Sequence, residues 1–130
     1  EIFRKNIFPE LLNVLSKNKK EPFPQKIFEL GKTVKIDPSQ ETGVNEKDSL
    51  SIIVSGKAAD FTYAKSIFES LCKNLMLKYK LKETNMPFLE QGKSAQAELD
   101  GKKAFFGELS EKTAKEFKIE EKTIIIELEI

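Results

Sequence analysis

Residues 24–37 read Pro24-Gln-Lys-Ile-Phe-Glu-Leu-Gly-Lys-Thr-Val-Lys-Ile-Asp37. Ile27, Phe28, Leu30, Val34 and Ile36 form a dense apolar, β-branched run, opened by Pro24 and closed by Asp37-Pro38. Such a run bounded by turn chemistry predicts a strand, and its apolar density predicts one buried inside a sheet. Upstream, Ile7, Leu11, Leu12 and Leu15 recur at helical spacing and make one apolar face that can pack across that sheet. The expected first unit is a helix followed by a central strand.

Outward from this unit, residues 17–24 (Lys-Asn-Lys-Lys-Glu-Pro-Phe-Pro) end the helix, since lysines suit its C-terminal dipole and two prolines forbid continuation. Residues 38–48 are polar, turn-rich and without period, which predicts a loop. Ile52, Ile53 and Val54 restore strand character over residues 50–54, ended by Ser55-Gly56. Between residues 60 and 77, Phe61, Ala64, Phe68, Leu71, Cys72 and Leu75 step by three and four, with Asp60 as N-cap. Tyr79 and Leu81 alternate with lysines, as in a half-exposed strand. Ala95, Ala97 and Leu99 lead into Asp100-Gly101, a pair suited to the two positive-φ positions of a type I′ hairpin turn, and residues 103–109 return. Ser110 can cap a short helix running to Phe117. Residues 123–130 alternate, with Ile124, Ile126, Leu128 and Ile130 on one face and Glu127 and Glu129 on the other.

A chain of 130 residues is about one domain long and can bury roughly two-thirds of its unfolded surface. Ten Phe against two Tyr and no Trp are expected to furnish much of the core. Charge is abundant but balanced, 22 basic against 21 acidic residues, so any nucleic-acid contact requires a local lysine patch that the totals do not predict. A single cysteine excludes an intrachain disulfide, and a reducing, cytoplasmic setting is expected. No apolar run approaches the roughly 20 residues needed to span a bilayer. The sequence opens on Glu1, and residues 1–130 are expected to be one domain from the C-terminal part of a longer chain.

Arg4-Lys5-Asn6-Ile7-Phe8-Pro9-Glu10-Leu11-Leu12, followed by Lys26-Ile27-Phe28-Glu29-Leu30-Gly31, resembles two elements of the phenylalanyl-tRNA synthetase beta subunit. Those are Arg-x-x-apolar-apolar-Pro-x-Leu-Leu and apolar-Phe-Glu-apolar-Gly. The segment around residues 86–95 resembles the family's Pro-Gly-Arg-x-Ala turn, with Gln91 in place of proline and Lys93 in place of arginine. Gly107-Glu108-Leu109 matches the start of a Gly-Glu-apolar-His-Pro element, where Ser110 and Glu111 replace His and Pro. The elements keep the family's order from Arg4 to Glu129. The resemblance implies an α+β fold: the antiparallel sheet flanked by helices of class II aminoacyl-tRNA synthetases and biotin ligases. The residues agree, since strands interrupted by helices and joined by a hairpin argue for α+β.

Function follows from what such a site would need. Class II enzymes hold ATP with arginines whose planar fork binds phosphate bidentately. Arg4 is the only arginine, and no glycine-rich phosphate loop is present. We therefore assign no catalytic, cofactor-binding or metal-ligating residue; ATP and Mg²⁺ would belong to the whole enzyme that the resemblance implies. Glu29, Glu108, Glu127 and Glu129 are the carboxylates that could be considered as Mg²⁺ ligands, but alternating strand glutamates read as a wet face rather than as a metal site. Glu29 and Glu108 read as outward-facing residues or carboxylates paired with Arg4 or a lysine, against an interface role. Cys72 reads as a small core residue rather than a reactive thiol. The resemblance implies a catalytic-like module without chemistry of its own that packs on the synthetase alpha subunit, leaving an apolar patch uncovered. The alternatives are a free-standing ATP-using ligase of class II fold, and a module that contacts tRNA through Lys17, Lys19, Lys20 and Lys26.

Overall fold

The computed structural model describes residues 4–36, 38–39 and 43–130. Nine elements follow in chain order: α1 (Phe8–Lys17), β1 (Gln25–Ile36), β2 (Val44–Ser55), α2 (Phe61–Asn74), β3 (Lys80–Lys82), β4 (Leu89–Leu99), β5 (Lys102–Leu109), α3 (Glu111–Glu116) and β6 (Thr123–Glu129). Six strands form one sheet in the order β1-β2-β6-β5-β4-β3, every neighbouring pair antiparallel. The α+β expectation holds.

Each face of the sheet carries one principal helix, laid over a different part. Helix α1 lies over β1 and β2. Its Phe8, Leu11, Leu12 and Leu15 pack with Ile53, Phe105, Ile119 and Ile125. Helix α2 lies over β5 and β6 on the opposite face, burying Ala64, Phe68 and Cys72 against Phe106, Ile124, Ile126 and Leu128. The Phe106 ring stacks on Phe68 at 4.8 Å and on Phe61 at 5.6 Å between centroids, so aromatic rings fill much of this layer.

Cap and turn residues act as their local chemistry dictates. Asp60 Oδ1 accepts from Tyr63 N at 2.9 Å, and Ser110 Oγ accepts from Thr113 N at 3.2 Å, satisfying donors that the helix leaves free. Asp100 and Gly101 both have positive φ, 53° and 83°, as the hairpin turn demands.

Three expectations change. Strand β1 is an edge strand, not a central one, and Phe28 and Leu30 are 71% and 63% exposed. An apolar run looks alike in sequence whether its own chain covers it or something else does. Ten phenylalanines therefore do not all serve the core, as Phe28 and Phe23 show. Strand β2 begins at Val44, so much of the expected loop 38–48 is paired to β1; the turn residue Asp37 and residues 40–42 lie outside the described residues. Finally, β6 is covered on both faces, so its alternation does not separate a dry side from a wet one: Glu127 is 4% exposed.

Candidate functional site

The open edge of the sheet is the first candidate. Lys26, Phe28, Leu30 and Lys32 alternate onto one face of β1, opposite Val54, Ile52, Leu50 and Asp48 of β2. That face is the one α2 covers, but α2 sits over β5 and β6 and leaves this end bare. Phe28 and Leu30 stand exposed beside half-buried Leu50 and Ile52. At one end the patch is bounded by the Lys32–Asp48 ion pair, 2.8 Å, and at the other by Lys26, whose Nζ lies 5.7 Å from the Tyr63 ring centroid. An apolar centre with a polar rim is the layout of a protein interface.

The backbone is open there as well. Val34 N donates to Arg4 O at 2.9 Å, and Arg4 Nε donates to Lys32 O at 3.1 Å, so even-numbered residues of β1 direct their peptide groups outward. Among the described residues nothing pairs with that edge at Leu30, Phe28 or Lys26.

Arg4 is the keystone of the neighbouring corner. Its Nη1 meets Glu10 Oε2 and its Nη2 meets Glu29 Oε2, each at 2.8 Å. The guanidinium lies across Gly31, where any Cβ would collide with it. The Glu29 hydrogen bond raises the Arg4 pKa, partly offset by burial and helped by Glu10. The only arginine of the chain is thus committed to holding α1 against β1, and the Arg4–Glu29 pairing weighed from sequence is present.

Two strand carboxylates are spent on helix N-termini. Helix α1 has Ile7 at its N-cap and no side-chain cap of its own. Glu127, 120 residues away, supplies the acceptor: Oε1 receives Phe8 N at 2.9 Å and Ile7 N at 3.1 Å. Asn6, with its amide nitrogen turned to the carboxylate, donates to Oε2 at 3.0 Å. Ser51, opposite Glu127 in the register, is close enough to favour the charged form but outside hydrogen-bond geometry. Burial pushes the Glu127 pKa above the ordinary 4.5, against the opposing pull of the Phe8 and Ile7 N–H groups. On the other face Glu108 Oε2 accepts from Phe61 N, the first residue of α2, at 2.9 Å, and Lys93 stands 3.9 Å from Oε1. Neither glutamate faces outward. Glu129 Oε1 accepts from Lys103 N at 2.8 Å, so the four carboxylates considered as ligands each serve a different partner.

The remaining sequence candidates separate. Lys17 closes α1, and Lys19 and Lys20 follow it, whereas Lys26 lies on the opposite face of the sheet with Tyr63, so these four lysines form no common surface. Cys72 is buried in the α2 layer, and burial raises its pKa, as befits an inert core thiol.

Sequence reasoning missed a cleft of about 610 Å³ at the distal end of the α1 face, beyond the reach of α1. Phe105, Thr33 and Ser49 lie in its floor, and its lining includes Lys5, Lys35, Lys47, Lys82, Lys102 and Lys103. The hydroxyls of Thr33 and Ser49 are paired to each other at 2.9 Å. No local sequence signal marks this cleft, because its lysines come from four different strands and from the segment before α1.

The fold has solved counterparts. A pyrrolysyl-tRNA synthetase from Desulfitobacterium hafniense superposes with a TM-score of 0.73 at 11% identity, covering 97% of this chain and 46% of that one. A second structure of the synthetase from that organism gives 0.69 at 12% identity, again over 97% of this chain. The architecture is therefore that of a class II synthetase-like domain. The sequence narrows this further: residues 1–130 match the family described as the phenylalanyl tRNA synthetase beta chain CLM domain, and the chain belongs to that family. Phenylalanine–tRNA ligase beta subunits of Methanocaldococcus jannaschii and Pyrococcus abyssi are 34% and 32% identical to it, over 99% and 96% of its length. The chain spans about a quarter of those relatives, 24% and 23%.

Proposed function

We propose that this domain is a non-catalytic, class II synthetase-like module of a phenylalanine–tRNA ligase beta subunit, and that it packs on the alpha subunit to support charging of tRNA with phenylalanine. The observation that carries the reading is the bare β1–β2 face, where Phe28 and Leu30 are exposed along a strand edge that no described residue pairs with at Lys26, Phe28 or Leu30. A long edge strand with apolar side chains is a liability in a free-standing protein and a natural seat for a partner. Chemistry points the same way. Gripping ATP calls for cationic forks free to meet phosphate, and Arg4 is engaged by Glu10, Glu29 and the Lys32 carbonyl. In this reading ATP and Mg²⁺ are handled by the assembled enzyme.

Purified alpha subunit added to this chain should give a stable complex on size-exclusion chromatography, and charging of tRNA by the assembled enzyme should require the domain. An alpha subunit that ignores it and charges tRNA equally well without it contradicts the proposal. Saturable calorimetric binding of ATP and Mg²⁺ to the chain alone would contradict the non-catalytic half.

A further inference from the structure

The two edges of the sheet are protected unequally. Strand β3, at one edge, is three residues long with a lysine at each end, and both shortness and lysine deter strand addition. Strand β1, at the other edge, is 12 residues long and carries exposed Phe28 and Leu30 on its open stretch. Its outward peptide groups at Lys26, Phe28 and Leu30 meet nothing among the described residues. The stretch is bounded on both sides. On one it stops at Pro24, which has no N–H to offer. On the other Arg4 closes it, with Nε on the Lys32 carbonyl and its own carbonyl on Val34 N.

This window is complementary to itself. Laid antiparallel against a second copy with a two-fold axis at Phe28, Lys26 falls opposite Leu30 of the second copy, Phe28 opposite Phe28, and Leu30 opposite Lys26. All are positions whose N–H and C=O point outward, so each pair exchanges both of its hydrogen bonds. The next pair out sets Pro24 against Lys32, where one strand lacks a donor and the other's carbonyl is already taken by Arg4. The side chains agree with the backbone. On the α2 face Phe28 meets its own copy, flanked by Leu30 and the stem of Lys26, and on the α1 face Glu29 falls opposite Ile27, so no like charges are opposed. Other registers are worse. An axis at Glu29 sets Glu29 against Glu29 and Lys26 against Lys32, and an axis at Ile27 sets Leu30 against Pro24.

We propose that two copies of this chain pair antiparallel through their β1 edges, about a two-fold axis at Phe28, when no other partner covers that edge. The inference goes beyond the alpha-subunit reading and does not depend on it. A closed two-fold contact uses up both open edges, so assembly stops at the dimer. A ladder of three residue pairs is small beside the roughly 1,600 Å² of a standard interface, which makes the dimer concentration-dependent.

Sedimentation equilibrium of the chain should show monomers passing to dimers, and to nothing larger, as concentration rises toward about 1 mM. Phe28→Pro removes the central outward N–H, which the fold itself does not use, and should weaken dimerisation at least about tenfold with the circular dichroism spectrum unchanged. Should that variant not fold, cross-linking supplies a second reading. At the axis, identical residues stand about 5.5 Å apart between Cα atoms, within the span of a disulfide, whereas at Lys26 or Leu30 identical residues stand about 14 Å apart. Mild oxidation should therefore join Phe28→Cys into a covalent dimer and leave Lys26→Cys and Leu30→Cys unjoined, the native Cys72 being buried. A monomer at every concentration, open-ended oligomers, wild-type dimerisation by a folded Phe28→Pro variant, or equal cross-linking at the three positions would each overturn the proposal. Alpha subunit should dissolve the dimer by taking the same edge. A dimer that persists with alpha subunit bound would uphold self-pairing and count against β1 as the alpha docking surface, whereas a chain that binds alpha subunit but never itself would overturn self-pairing alone.

Discussion

Strands β1 and β6 are written in nearly the same language and live in opposite surroundings. Strand β6 sets Ile124, Ile126 and Leu128 on one face; β1 sets Phe28 and Leu30 on the same face two strands away. The β6 side chains are at most 1% exposed, whereas Phe28 and Leu30 are 71% and 63% exposed. The difference lies in what covers them: α2 spans β6 and stops short of β1. Apolar strand residues that a domain covers by itself hold the fold, and those it leaves bare are available to a partner.

The contrast is sharpest at the core. Ile126→Ala should cost about 2–5 kcal/mol, because it removes a fully buried side chain between two packed strands under α2. The midpoint of urea unfolding measures this, and a cost as small as that of an exposed strand residue would break the comparison. Next in size is the α2 cap: Asp60→Ala should cost about 1 kcal/mol by freeing the Tyr63 N–H, read in the same unfolding experiment. The smallest expected change is at the edge. Phe28→Ser with Leu30→Ser should alter stability by no more than about 0.5 kcal/mol per site, because exposed positions have little packing to lose.

Glu127 gives the comparison a pH signature. Its native pKa lies above the ordinary 4.5, so between the two values the folded state binds more protons than the unfolded one. Its favourable contribution is therefore fully present below pH 4.5 and is lost as pH rises through the native pKa. Glu127→Gln removes the titration, so the stability of the wild type relative to this variant should fall as pH rises across that window. A pH-independent difference would show that burial of the carboxylate does not set its proton affinity.

What was legible from sequence is what is local. The helices, their caps at Asp60 and Ser110, and the Asp100-Gly101 turn depend on neighbours a few residues away, and each stands where periodicity or cap and turn chemistry places it. Sheet order is set by pairings between distant segments, which is why β1 read as central and proved to be an edge. Glu127 was misplaced for the same reason, because two-residue alternation says which side a residue faces and not whether that side is dry. The structure sets the N-cap of α1 at Ile7, which has no side-chain acceptor, rather than at Asn6, so the first N–H groups need an acceptor from elsewhere and Glu127 supplies it. The lysine cleft gathers single residues from far-apart strands and leaves no run to notice.

The most direct test of docking is calorimetric titration of the alpha subunit into this chain, wild type against the Phe28→Ser, Leu30→Ser double variant. Binding by the wild type and at least a tenfold weaker Kd for the double variant, about 1.4 kcal/mol, with unfolding midpoints unchanged, is the predicted result. Equal affinity for the two proteins would contradict the assignment of the bare β1 face as the docking surface.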